Sequence, residues 1–164
     1  MQKLYLDCDG VILDTINMTY KMLRERNITE YTEIEDFYRK INWDALIIES
    51  GEIDNSINKI KKLNNYFDIE ILTHVNSEGE VISKLNYFKE VLPEVNVITV
   101  SKEIKKADFV NPKGAILVDD YLANLEYWYE KGGIPIKFSD SGKNCKYEVI
   151  TDLLDLLKIY KIKE

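Results

Sequence analysis

The chain has 164 residues, of which 45% are hydrophobic, and its formal net charge is −7. This length suits one compact domain with its own core, and the negative charge with scattered lysines argues against a nucleic-acid-binding surface. No apolar run is long enough to span a membrane and the first residues lack a signal-peptide pattern, so we expect a cytoplasmic protein without a membrane partner.

Five short apolar runs rich in Ile and Val alternate with helical patterns along the chain. Such runs are typical of buried parallel strands. The predicted strands cover residues 4–6, 69–72, 95–100, 115–118 and 134–138. Strands that alternate with helices imply βαβ units, so we predict an α/β fold with a three-layer, Rossmann-like core and a parallel sheet.

About sixty residues separate the first two predicted strands, which is more than a single crossover helix needs. Helical spacing recurs in this interval, and Thr32 and Glu35 match a capping box. We therefore predict a small helical cap over about residues 15–50, inserted after the first strand of a single domain that spans residues 1–164. A returning helix is expected from about residue 54.

Three further helices are predicted after the second strand. The first has Ser77 as N-cap, and its apolar face is formed by Val81, Leu85, Phe88 and Leu92. The second covers residues 122–129 and stops at a pair of glycines, residues 132 and 133, and the last covers residues 153–160.

Polar residues follow the predicted strands at the edge where open parallel sheets bind their ligands. In chain order these residues are Asp7 and Asp9, then Thr73 and His74, then Lys102, Lys105 and Lys106, and finally Asp119 and Asp120. Converging carboxylates repel each other unless a cation neutralises them, and hard oxygen ligands suit Mg²⁺. The sequence therefore predicts a magnesium site.

Bound Mg²⁺ would let a carboxylate approach an anionic phosphoryl group. Asp7 could then attack phosphorus and form an aspartyl-phosphate, while Asp9, two residues on, could protonate the leaving oxygen and later activate water. Strand alternation directs Cys8, between them, away from this chemistry and toward the core.

The motif Asp7-Cys8-Asp9-Gly10-Val11, with Thr73, a downstream lysine and Asp119-Asp120 in this order, resembles the haloacid-dehalogenase-like (HAD) phosphohydrolase superfamily. The layout is most similar to that of the 5′(3′)-deoxyribonucleotidase family, which also has an early helical cap and a double aspartate. The resemblance implies a magnesium-dependent phosphatase that acts on small phosphomonoesters, preferably deoxynucleoside monophosphates.

The resemblance also implies a role for each matched residue. Asp7 would be the nucleophile, Asp9 the general acid/base and a metal ligand through its backbone carbonyl, and Thr73 a phosphate ligand. Asp120 would be the second metal carboxylate, Asp119 would orient the lysine or support the metal site, and Asn124 could hold a metal-bound water. Lys106 is favoured as the lysine because Lys106-Ala107-Asp108 looks like the third family motif, while Lys102 and Lys105 remain alternatives.

The predicted cap is rich in aromatic residues, of which most are expected in the core. Trp43 and Phe37 are the candidates for stacking on a nucleobase. His74 adjoins Thr73 and is a candidate for contacting substrate, without a catalytic role.

Other substrates and other classes of protein fit parts of the pattern. A sugar phosphate or a polynucleotide 3′-phosphate end could replace the nucleotide. A signalling receiver domain also uses an aspartate, Mg²⁺ and a lysine, but its lysine comes near the end, whereas here the lysines precede the double aspartate. A phosphate-binding regulatory protein without turnover would keep the same groups.

Overall fold

A six-stranded parallel sheet forms the centre of the computed structural model, which describes residues 1–163. Its strands are β1 (Gln2–Leu6), β2 (Phe67–Val75), β3 (Asn96–Ser101), β4 (Ile116–Asp119), β5 (Ile134–Phe138) and β6 (Glu148–Ile150). Their order across the sheet is β3-β2-β1-β4-β5-β6, and all neighbouring strands are parallel. This is the order of a doubly wound Rossmann fold, so the predicted α/β class is confirmed.

Eight helices accompany the sheet within residues 1–163. They are α1 (Thr15–Glu25), α2 (Tyr31–Lys40), α3 (Trp43–Ser50), α4 (Ser56–Leu63), α5 (Glu78–Val91), α6 (Lys106–Phe109), α7 (Leu122–Glu130) and α8 (Asp155–Ile159). Helices α1 to α3 follow β1 and correspond to the predicted helical cap, and α4 returns the chain to the sheet. In this part of the chain, no helix has both the length and the apolar character that a membrane span requires.

Two apolar clusters lie on opposite faces of the sheet because side chains alternate along each strand. Leu4 and Leu6 of β1 pack in one cluster together with Phe88 of α5, whereas Tyr5 packs in the other with Trp128 of α7. Helices therefore cover both faces, which gives the three layers that the sequence predicts.

The helix ends show which capping signals were informative. The Ser77 hydroxyl accepts a hydrogen bond from the Glu80 N–H (3.1 Å), so the predicted N-cap of α5 is confirmed. Helix α7 ends at Glu130, just before the predicted glycine stop. The capping box at Thr32 is wrong, because α2 already begins at Tyr31 and its N-cap makes no side-chain hydrogen bond.

The predicted apolar face of α5 is only half correct. Phe88 is buried as expected, but Leu85 is 40% exposed, and Glu80 and Lys84 are fully buried instead. The first half of α5 lies over the edge of the sheet that carries the polar side chains, so its inner face meets charged groups rather than the core. The apolar period applies only to the second half of the helix.

Two strands differ from the sequence prediction. Strand β2 extends to Val75, so Thr73 and His74 lie inside it rather than after it. Strand β6 was missed, because its three residues are too few to produce a recognisable alternation of apolar and polar side chains.

Candidate active site

The loop after β1 holds two aspartates at the carboxyl edge of the sheet. The Asp7 N–H donates to the Val118 carbonyl (2.9 Å), which ties the loop to β4. The Leu13 N–H donates to the Cys8 carbonyl (3.0 Å) and closes a tight turn. Gly10 lies in this turn with φ +81°, a left-handed conformation that glycine adopts without strain.

Lys106 joins two of the predicted acidic residues. Its buried Nζ lies 2.7 Å from Asp7 Oδ1 and 2.7 Å from Asp119 Oδ2. Burial opposes the charged form, but the Asp119 and Asp7 carboxylates raise the pKa of Lys106 above its ordinary value. The other two candidates, Lys102 and Lys105, are exposed at the edge of a cavity, so the structure brings only Lys106 to Asp7.

Three carboxylates form a compact acidic cluster. Ligand atoms of Asp7, Asp119 and Asp120 all lie within 4.8 Å of one another. Burial, and then the charge of Asp119, raise the pKa of Asp7 well above its ordinary value and that of Asp120 to about 6. Carboxylates alone, without a thiolate or an imidazole, are the donor set that Mg²⁺ prefers, so these residues fit the ion.

The two neighbouring aspartates of this cluster differ in their hydrogen bonds. Asp119 is fully buried, and it accepts from Lys106, from the Tyr121 N–H (2.8 Å) and from Asn124 Nδ2 (3.0 Å). Asp120 faces the cavity, and its backbone carbonyl accepts from Lys137, whereas no other side chain among residues 1–163 donates to its carboxylate. Asp120 therefore has the freer carboxylate, and Asn124 supports Asp119.

The Asp9 carboxylate is held on both of its oxygens. Oδ1 accepts from the Thr15 hydroxyl at the start of α1 (2.6 Å), and Oδ2 accepts from Lys84 Nζ of α5 (2.6 Å). Lys84 also donates to Thr73 Oγ1 (2.9 Å). Thr73 is fully buried beneath this contact and does not line the cavity.

Sequence reasoning did not find Lys84 or its partner Glu80. The pair lies at i,i+4 on the buried face of α5, with the ammonium 2.8 Å from Glu80 Oε1. Glu80, Lys84 and Phe88 follow one another every four residues, and this spacing was the available signal. An opposite-charge pair at this spacing usually lies on the solvent-exposed face of a helix. The sequence alone therefore does not indicate that this pair is buried.

A cavity of about 560 Å³ opens beside these groups, between the cap helices and the loop that follows β3. Its lining includes Asp7, Asp9, Asp120, Lys106, His74, Tyr20, Tyr38, Trp43, Ile104, Tyr121 and Tyr127. The lining thus combines charged groups with aromatic side chains. The arrangement can take a small ligand that carries both an anionic group and an apolar body.

The three candidate substrate-binding residues beyond Thr73 lie in different places. Trp43 lines the cavity, and its indole N–H donates to the Tyr38 carbonyl (3.1 Å). His74 also lines it, with Nε2 2.8 Å from the Ile104 carbonyl. Phe37 is buried within the cap against the edge of Tyr38 and is not brought to the cavity.

Cys8 is fully buried in the core, as strand alternation predicts. Burial, followed by the charge of Asp9, raises the pKa of its thiol well above the ordinary value. The thiol is therefore protonated and acts as a packing group.

The fold and this site define an α/β protein with an acidic centre, a buried lysine and a helical cap over the cavity. Comparison with protein-family models and with curated proteins finds no match. Comparison with solved structures does find similar folds. The HAD hydrolase YfnB from Bacillus subtilis, whose structure contains magnesium, matches with a TM-score of 0.66 and 15% identity over 98% of this chain and 99% of that chain.

Two further matches belong to the same group of hydrolases. D,D-heptose 1,7-bisphosphate phosphatase from Burkholderia thailandensis gives a TM-score of 0.61 and 14% identity, over 99% of this chain and 100% of that chain. The haloacid dehalogenase-like protein SP0104 from Streptococcus pneumoniae gives 0.63 and 14%, over 98% of each chain. Dehalogenases are also among the similar structures. The chain thus has the fold of HAD-superfamily hydrolases.

Proposed function

We propose that this chain is a magnesium-dependent phosphomonoester hydrolase that acts through an aspartyl-phosphate on Asp7. The observation that carries the proposal is the bridge from Lys106 to Asp7 and Asp119, inside a three-carboxylate cluster that borders the cavity. Lys106 neutralises only part of the charge of the three carboxylates, so the cluster can bind a metal cation and, with that cation, a phosphate group from the cavity.

The chain's own residues can supply both halves of the reaction. In the first, an Asp7 oxygen bonds to phosphorus, the ester P–O bond breaks, and Asp9 gives its proton to the departing oxygen. In the second, Asp9 takes a proton from water as the water oxygen attacks phosphorus, which releases phosphate and restores Asp7. Lys106 offsets negative charge on Asp7 and on the transferring group throughout.

Magnesium would be held by Asp7, Asp120 and the Asp9 backbone carbonyl, with Asp119 left to orient Lys106. When bound, the ion supplies positive charge that lets a phosphate dianion approach the carboxylates. The hydrogen-bond pattern supports this assignment, because Asp119 is already bonded on both oxygens, whereas the Asp120 carboxylate faces the cavity.

Dehalogenation on the same fold is less consistent with this site. A halide leaves without a proton, and the carbon it leaves does not carry the negative charge of a phosphoryl group. Dehalogenation therefore requires neither a second carboxyl group as an acid nor an acidic cluster that binds a cation. This chain has Asp9 beside Asp7 and two more aspartates within reach. Both features suit the hydrolysis of a phosphate ester, whose leaving oxygen needs a proton.

The proposed substrate is a nucleoside monophosphate, preferably deoxy, as for a 5′(3′)-deoxyribonucleotidase. The cavity volume of about 560 Å³ and the aromatic side chains Tyr38, Trp43 and Tyr121 in its lining support a ligand with a flat, apolar end. A sugar phosphate or a polynucleotide 3′-phosphate end is the alternative, since the fold does not determine the leaving group.

Two classes of protein that are not enzymes, receiver domains and phosphate-binding regulatory proteins, are alternatives to a phosphohydrolase. Receiver domains have the sheet order 2-1-3-4-5, which differs from the order found here. A phosphate-binding regulatory protein would keep every group of the site and hydrolyse nothing.

One experiment separates these possibilities. Purified protein is assayed with Mg²⁺ on deoxynucleotides, ribonucleotides, sugar phosphates, 3′-phosphorylated oligonucleotides and a haloacid. We expect phosphate release, highest kcat/KM on a deoxynucleotide, and no halide release. If the protein binds phosphate without hydrolysing any ester, a phosphate-binding regulatory protein is the remaining alternative. A preference for sugar phosphates would contradict the assignment of a nucleotide as substrate.

A further inference from the structure

Lys84 is a fully buried cation next to the cavity that the reaction proposed above does not use. Its side chain has no exposed surface, and its ammonium lies within 3.2 Å of four oxygen atoms. Burial opposes the charged form, but the carboxylates of Asp9 and Glu80 raise the pKa of Lys84 above its ordinary value. Two carboxylates, those of Asp9 and Glu80, therefore flank the ammonium at 2.6 Å and 2.8 Å.

Three of the four oxygen atoms around the Lys84 ammonium belong to the site rather than to its own helix. Lys84 donates to Asp9 Oδ2 (2.6 Å), Thr73 Oγ1 (2.9 Å) and the His74 carbonyl (3.2 Å). The fourth oxygen, Glu80 Oε1, lies 2.8 Å from the ammonium as an ion pair within α5. The Glu80 contact balances charge, while the directional bonds join α5 to β2 and to Asp9.

The Glu80 carboxylate, which pairs with Lys84, is itself held by hydrogen bonds. Its Oε2 accepts from the Asn76 backbone N–H (2.6 Å) and from Asn76 Nδ2 (3.0 Å). Trp43 of the cap covers the ammonium from the other side, with the ring centroid 5.1 Å from Nζ. These groups thus enclose Lys84, and among their side chains the Asp9 carboxylate is the one that lines the cavity and accepts a hydrogen bond from the ammonium.

We propose that Lys84 is a positioning residue, which holds the Asp9 carboxyl where it gives and takes the proton of the leaving group. The inference rests on the phosphohydrolase function proposed above. A purely structural ion pair would be satisfied by Glu80 alone, and well-packed apolar residues can replace such a pair without loss. A structural ion pair with Glu80 does not require the additional hydrogen bonds from Lys84 to Asp9 and Thr73, which a positioning role does require.

The test uses two substrates of nearly equal size that differ in their need for a proton. The leaving group of p-nitrophenyl phosphate departs readily as an anion, whereas that of p-nitrobenzyl phosphate is an alkoxide that requires protonation. Because kcat/KM covers only the steps up to release of the alcohol or phenol, it reports the first half-reaction. Lys84→Met should lower kcat/KM for p-nitrobenzyl phosphate about tenfold more than for p-nitrophenyl phosphate.

The controls separate positioning from folding. Lys89→Met removes an exposed lysine from the same helix and should change neither value. If Lys84→Met does not fold, the double variant Lys84→Met with Glu80→Gln removes both charges while the glutamine oxygen still accepts from Asn76. The same difference between substrates is expected in the double variant.

Equal losses on both substrates, or no loss on either, would overturn the positioning role and leave the phosphohydrolase intact. An additive loss when Lys84→Met is combined with Asp9→Asn would also overturn it, since a residue that acts through Asp9 adds little once Asp9 is removed. Wild-type protein that hydrolyses neither these two esters nor any phosphate ester of the assay proposed above would overturn the proposed function, and this inference with it.

Discussion

Lys106 Nζ and Asp7 Oδ1 lie 2.7 Å apart, although 99 residues separate them in the chain. The contact exists because Asp7 follows the carboxyl end of β1 and Lys106 opens α6 after the carboxyl end of β3, and the carboxyl ends of parallel strands lie at the same edge of the sheet. A buried ammonium at this point restrains the Asp7 carboxylate and partly neutralises the acids around it.

Replacing Asp7 by Asn should abolish turnover, because an amide cannot form the acyl phosphate. We expect residual activity below about one hundredth of the wild-type value, a loss of at least ~3 kcal/mol in transition-state stabilisation. Steady-state assays on p-nitrophenyl phosphate measure it, with circular dichroism to confirm folding. Activity above that level in a folded variant would exclude covalent catalysis by Asp7.

Magnesium should be required for activity, and its binding should depend on Asp120 more than on Asp119. Excess chelator should stop turnover, and added Mg²⁺ should restore it. Asp120→Asn should raise the Mg²⁺ concentration for half-maximal activity at least about tenfold, since a carboxylate ligand is replaced by a neutral amide. Asp119→Asn is the matched variant and should lower kcat instead, through Lys106. Full activity in chelator would contradict the metal requirement.

The metal-free protein should show a pH dependence of stability that comes from Asp120. Its pKa is raised to about 6 in the folded state, so the folded protein binds a proton more tightly than the unfolded chain. The contribution of this group to stability therefore falls as pH rises from about 4 through 6, by an amount on the order of 1–3 kcal/mol. Urea unfolding in chelator at pH 5, 6 and 7 measures it.

The Asp120→Asn variant isolates this contribution. Burial lowers the pKa of His74, which acts in the opposite direction below its ordinary pKa, and raises the pKa of Asp7, which acts in the same direction as Asp120. Wild-type data alone therefore mix the contributions of several groups. The free energy of unfolding of wild type minus that of Asp120→Asn should decrease between pH 5 and pH 7. If this difference increased over the same range, ionisation of Asp120 would not destabilise the folded protein, and the prediction would be wrong.

Gly10→Ala should disturb the metal site as well as the backbone. Gly10 has φ +81°, and a Cβ there would collide with the Asp120 carboxylate. Gly51→Ala is the matched control, because Gly51 has φ +69° and a methyl group there would have no neighbouring atom within 4 Å. Both variants should lose about 1 kcal/mol from backbone strain, and only Gly10→Ala should also weaken Mg²⁺ binding. Equal Mg²⁺ affinity in the two variants would contradict the close approach.

Tyr121→Ala should raise KM for a nucleotide more than for p-nitrophenyl phosphate, since Tyr121 lines the cavity and can contact a base. Tyr129→Ala is the control near the other end of α7, because Tyr121 and Tyr129 are 63% and 62% exposed but, of the two, only Tyr121 borders the cavity. Phe37→Ala should affect stability rather than KM, because Phe37 is buried in the cap. A uniform change across all substrates would remove the nucleotide assignment.

The sequence by itself determined the fold class and the set of acids at one edge of the sheet. Short β-branched runs separated by helical periods require a parallel sheet, and parallel strands place Asp7, Asp9, Asp119 and Asp120 at the same edge. These features are local, since each depends on a few neighbouring residues and on the period of the side chains. For the same reason the cap was foreseeable, because an oversized interval needs elements of its own.

Only the tertiary structure decided which groups touch. It brought Lys106 rather than Lys102 or Lys105 to Asp7, buried Phe37 away from the cavity, and placed Lys84 against Asp9. Sequence spacing describes the faces of one helix or strand, but contact between elements depends on how they cross and pack. The charge pair on α5 reads as a surface feature until that helix lies over the end of β2, where the same two side chains become buried.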